Sequence, residues 1–172
     1  FGKNECAKSI FVFFLNYLLV LLIVALFIWM NTIGQEGETF RGYVTEHFNT
    51  VVYLMASMLV LFLTVYFYYM FEDKSTLCVS KSIWLIFLLL DVSIIICYFF
   101  GFFFNIYSRP VALLALLALT LLGRRDAIFL NVIFALQMFS IDSFTNFSAI
   151  NDYPDALLIT PLMIFSGGMI AI

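Results

Sequence analysis

Apolar residues in this chain do not alternate with polar ones; they come in long unbroken runs separated by short polar breaks. Residues 10–30 carry no charge, and at 1.5 Å per residue a helix of that length covers the ~30 Å hydrocarbon core of a bilayer. A second uncharged run, 51–71, ends in Tyr66-Phe67-Tyr68-Tyr69, amphipathic rings of the kind that settle at the headgroup level. A third, 82–104, has Trp84 near its start and Asp91 inside it. The next two, 106–122 and 127–141, are short for a crossing and are separated only by Gly123-Arg124-Arg125-Asp126, which predicts a helical hairpin. Two arginines at mid-membrane cost about 2.5–3.5 kcal/mol each even on a lenient scale, so the tip is expected at a water interface rather than re-entrant. Pro110 suits a helix start, and Arg109 is expected to extend the first limb through the interface. The last run, 156–172, contains Pro161 and Gly167-Gly168. The pattern predicts an all-α, polytopic transmembrane helix bundle of about six spans, with residues 31–50 as an outer loop.

Composition strengthens this reading. The chain is 65% hydrophobic and 11% charged and its mean hydropathy is +1.10, whereas soluble domains are about a quarter charged. The eight Lys and Arg residues form no run, and the net charge is only -3, so nucleic acid is not expected as a partner. The cations do set an orientation, because Lys and Arg are retained on the cytoplasmic side. Lys3, Lys8, Lys74, Lys81, Arg124 and Arg125 fall on one side of six alternating spans, Arg41 and Arg109 on the other. The N-terminus is therefore expected in the cytoplasm. The chain begins without Met and stops within an apolar run, which reads as a piece of a longer protein.

Candidate chemistry is sparse. Asp91 is the one acid expected inside a span, and a buried carboxylate needs a partner or a proton. It reads either as a proton or ligand site between helices or as an acid bonded to a nearby Ser or carbonyl that ties two helices together. Asn131 and Gln137 join it as a candidate intramembrane polar site, although for both of them, as for Asn16, the default reading is interhelical packing through amide hydrogen bonds, worth about 0.6 kcal/mol on average. Pro161 with the glycine pair could split the last span into half-helices, as in transporters, or sit in an ordinary membrane helix. His47, the only histidine, is expected in the solvated outer loop, and no nucleophile–base pair can be assembled around it. Cys6, Cys78 and Cys97 lack metal or disulfide spacing and read as free thiols. Asn146-Phe147-Ser148 is a glycosylation sequon of a kind that arises often by chance. No catalytic residue, cofactor or metal is expected within the chain; its surroundings are the lipid bilayer.

One stretch has a family likeness. Arg109-Pro-Val-Ala-Leu-Leu-Ala-Leu-Leu-Ala-Leu-Thr-Leu-Leu-Gly-Arg-Arg-Asp-Ala-Ile resembles a segment of the bacterial 7TM-HD proteins, in which a proline opens a Leu/Ala-rich helix, an Arg turn follows, and an Ala-Ile helix succeeds it. Residues 37–46, Gly-Glu-Thr-Phe-Arg-Gly-Tyr-Val-Thr-Glu, echo that family's extracellular Gly-x-Val-Thr segment. Characterised members are cyclic di-AMP phosphodiesterases. The resemblance covers about 100 residues and implies a bacterial plasma-membrane sensory module that passes a signal, from an unidentified small-molecule ligand, to a cytoplasmic hydrolase domain. That domain carries the family's metals and catalysis and is not in this sequence, and the extracellular domain is nearly absent too. A six-span chain of this length also suits the substrate-binding component of a vitamin transporter, or a small morphogenesis protein.

Overall fold

The computed structural model describes residues 3–33, 39–72, 80–145 and 156–172, with side chains of 3–6, 80 and 156 left aside. Lys74, Cys78, the 146–148 sequon and residues 37–38 lie outside the described residues. Among the described residues all regular structure is helical, and there are no strands. The α-helices are α1 (Lys3–Ile33), α2 (Phe40–Glu46), α3 (Phe48–Glu72), α4 (Ser80–Phe103), α5 (Leu113–Leu121), α6 (Arg124–Phe144) and α7 (Ala156–Ala171), with a 3-10 turn at Ile106–Ser108.

Four helices are long and apolar enough to cross a membrane: Ala7–Ile33 within α1, then α3, Lys81–Phe103 within α4, and α6. The other two expected spans are shorter. The run 106–122 becomes the 3-10 turn, an irregular stretch and a nine-residue α5, a helix only about 13.5 Å long. α7 has 16 residues, about 24 Å. Pro110 does not open α5; it accepts from Leu113 N–H at 3.2 Å in a turn just before it. α7 runs unbroken through Pro161 and the glycine pair, so of the two readings of this segment it is the ordinary helix, not the pair of half-helices, that forms.

Residues 31–50 are not a plain loop. α1 continues to Ile33, and α2 occupies the middle. Thr39 caps α2 by accepting from Gly42 N–H at 3.1 Å, and Tyr43 is the residue of α2 that is buried, while Phe40 and Val44 border an apolar groove beside α1 and α3. His47 is half-buried rather than solvated, its ring stacked on Tyr43 at 4.5 Å.

α6 is the centre of the bundle, packed against α3, α4, α5 and α7. It meets protein on several faces: beside the stripe of Leu130, Phe134, Met138 and Ile141, the residues Ile133, Ala135 and Gln137 on other sides of the helix are also buried. α3 instead buries one stripe, Leu54, Met58, Phe62, Val65 and Tyr69, whose three- and four-residue steps keep one helix face inward. Within a bilayer, helix association comes from close packing and hydrogen bonds rather than from water exclusion. Aromatic contacts supply much of it here. Phe62 stacks on Phe87 at 4.7 Å, Phe13 meets both edge-on, and Phe27 stacks on Tyr98 at 3.8 Å.

The contacts also define two ends. At one, Tyr68 donates to Asp126 at 3.4 Å and Glu72 pairs with Arg125, which brings the end of α3 to the start of α6. There Gly123 ends α5 and begins α6 at φ +113°, a conformation only glycine adopts freely. At the other end, Asn31 of α1 donates to the Thr145 carbonyl at 2.8 Å, and Ile106 and Arg109 of the stretch 104–112 turn back into the protein.

Candidate functional site

That stretch carries the main polar feature of the molecule. Arg109 is 3% exposed and Asp142 1%. The guanidinium grips the carboxylate with both ends, Nη1 to Oδ2 at 2.6 Å and Nη2 to Oδ1 at 3.1 Å. Nη1 also donates to Thr160 Oγ1 at 3.0 Å. One cluster thus joins the α4–α5 connection, the last turn of α6 and the second turn of α7. A two-point grip matches the planar fork of arginine to the plane of a carboxylate, a geometry lysine cannot reproduce. Gly101 of α4 makes room for it, because a Cβ there would collide with the Arg109 guanidinium. A lone charge in hydrocarbon is expensive, and pairing at this distance removes most of that expense by neutralising both.

This corrects three sequence expectations. Arg109 is buried in an ion pair rather than exposed to water, the helix expected over 127–141 runs on to include Asp142, and Asp91 is not the only buried acid. The pair is 33 residues apart. The available signal was that alternation of spans already places both residues on the same side, each at the end of an apolar run.

Asn131 lies eleven residues before Asp142, three helical turns, and so shares its face toward α7. Its Nδ2 donates to the Ile164 carbonyl at 3.2 Å, and the amide occupies the space a Cβ on Gly168 would need. It behaves as interhelical packing. Gly101 and Gly168 are therefore present for close approach, each admitting one polar side chain from another element.

Asp91 and Gln137 are not drawn into this network. Asp91 is 2% exposed, and neither carboxylate oxygen has a hydrogen-bond partner. The expected Ser or carbonyl partner does not materialise, and Ser93 sits about 200° away around α4. Gln137 is fully buried with oxygen and nitrogen both unpartnered. Asn16, expected to bond across helices, donates instead to Val12 of its own helix at 2.8 Å, leaving its oxygen unpartnered. Cys97 is a buried free thiol. Among the described residues no group of three or more His, Cys, Asp and Glu side chains is placed to hold a metal ion. Comparison with protein families, with curated proteins and with solved structures finds no match for this chain.

Proposed function

We propose that this chain is a six-crossing input module of a bacterial plasma membrane, N-terminus inside, that converts occupancy or state within the bundle into a signal for a cytoplasmic hydrolase of the 7TM-HD kind. α5 with the Ile106–Ser108 turn, and α7, act as thin fourth and sixth spans beside the four long ones. The charge distribution supports this orientation. Lys8, Lys81, Arg124 and Arg125 gather at the Tyr68–Asp126 end, while Arg41 and the neutralised Arg109 are at the opposite end. The observation that carries the signalling part is the set of buried polar side chains in the central helix and its neighbours. A bundle that only had to be stable would fill those positions with hydrocarbon, so groups held there against their desolvation cost point to use. The coupled enzyme would act on a cyclic dinucleotide, as the resemblance implies.

The test is the native coding sequence beyond Ile172. An in-frame His-Asp phosphohydrolase domain supports the reading; a stop codon directly after Ile172 overturns it in favour of a small transporter component or morphogenesis protein. The chain itself, purified in nanodiscs, is expected not to hydrolyse cyclic di-AMP.

A further inference from the structure

Asn16, Asp91 and Gln137 are far apart in sequence, yet the helix contacts place them in one layer. α1 and α4 run parallel, because Phe13 meets Phe87 and, further along both, Phe27 meets Tyr98. Asn16 lies on the stripe of α1 that contains Phe13, Val20 and Phe27; Asp91 lies on the stripe of α4 that contains Phe87, Ile94 and Tyr98. Measured from the Phe13–Phe87 contact, Asn16 is about 4.5 Å along α1 and Asp91 about 6 Å along α4. Measured back from Phe27–Tyr98, they are about 16.5 and 10.5 Å away. Both routes put them within about one turn of the same depth, facing across the α1–α4 interface.

Gln137 reaches that level through α3. Tyr68 stacks on Phe129, and Gln137 is eight residues beyond Phe129, about 12 Å. The same distance back along antiparallel α3 arrives at the depth of residue 60, within one turn of Phe62, which contacts Phe13, Tyr17 and Phe87. The layer is near the middle of α1 and α4, and all three side chains are at least 98% buried with unpartnered oxygens.

We propose that Asp91, Asn16 and Gln137 bind one monovalent cation, sodium, at mid-depth in the bundle. The chemistry of the donor set selects it. Asn16 donates one amide N–H to the Val12 carbonyl, and its own carbonyl oxygen is without a partner. Gln137 offers another, and Asp91 offers the single negative charge that balances one cation. The neighbouring hydroxyl of Tyr17 is directed elsewhere, to the Met55 carbonyl at 3.0 Å. The cationic side chains are elsewhere too, Arg109 being held by Asp142. Divalent cations require more carboxylate and a fuller oxygen cage, and softer metals require imidazole or thiolate. A proton would let Asp91 donate to one amide oxygen and leave the other bare, whereas a cation satisfies oxygens from all three helices together. Binding would draw α1, α4 and α6 toward a common centre. The inference needs α1, α4 and α6 packed in one bundle, and it stands apart from the proposed hydrolase partner.

The experiment uses the whole chain in nanodiscs, compared in sodium chloride and choline chloride at equal ionic strength and pH. Radioactive sodium should bind saturably with one ion per chain, and the unfolding midpoint should rise with sodium but not with choline. Asp91→Asn should abolish binding, and Asn16→Leu should weaken it about tenfold, as loss of one ligand worth roughly 1.4 kcal/mol does. Equal midpoints for the wild type in both salts, with no bound sodium, would overturn the proposal even if the variants fail to fold. So would a sodium response that survives in Asp91→Asn. An infrared band of a protonated acid, present in wild type at saturating sodium and lost in Asp91→Asn, would also overturn it and assign Asp91 to a neutral helix–helix hydrogen bond.

Discussion

Asp142→Ala should be among the most damaging single changes in the protein. It strands the Arg109 guanidinium, whose side chain has no solvent exposure. Two hydrogen bonds to a charged acceptor disappear, at 2.6 and 3.1 Å, while the neutral Thr160 Oγ1 still accepts from Nη1. Charge-assisted bonds are worth about 1.5–3 kcal/mol each, and breaking a buried pair by removing one partner costs about 3–5 kcal/mol. A loss of about 3–5 kcal/mol is expected. The double variant Arg109→Met/Asp142→Leu removes both charges and keeps side-chain volume, so it should lie within about 1–2 kcal/mol of wild type. The assay is reversible unfolding in mixed micelles followed by tryptophan fluorescence, since Trp29 lies close to the Asn31–Thr145 link at this end. A loss below about 1 kcal/mol for Asp142→Ala, the range of an exposed pair, would refute the burial argument. A double variant whose loss equals the sum of the singles would refute the pairing.

Gly168→Ala should destabilise by about 1–3 kcal/mol by driving a methyl into the Asn131 amide, and most of that loss should vanish when Asn131→Ala is added, measured by the same unfolding assay. Arg125→Ala should change stability by less than about 1 kcal/mol, because the Arg125 side chain is 71% exposed in its pair with Glu72. For topology, a cysteine introduced by Thr45→Cys should react with a membrane-impermeant reagent added to intact cells, and one introduced by Arg124→Cys should react only after permeabilisation; the reverse pattern would invert the orientation.

Local hydropathy was enough to establish the helical, membrane-type character of this chain and the approximate positions of its helices, because span length and lack of charge are properties of contiguous residues. The same property explains where it stopped. A scan of charge along the chain treats Arg109 as an interfacial cation and Asp142 as a loop acid, since each borders an apolar run. Only the return of residues 104–112 into the bundle, admitted by the bare backbone of Gly101, brings them together and makes burial tolerable. Asp91, Asn131 and Gln137 were legible as polar groups in apolar surroundings, but not their different circumstances. Asn131 finds the Ile164 carbonyl because Gly168 lets α7 approach, whereas Asp91 and Gln137 face elements that offer them no partner. Which helices are neighbours, at what depth and with which residue small enough to admit another, depends on contacts between distant segments, and those were decided by tertiary packing.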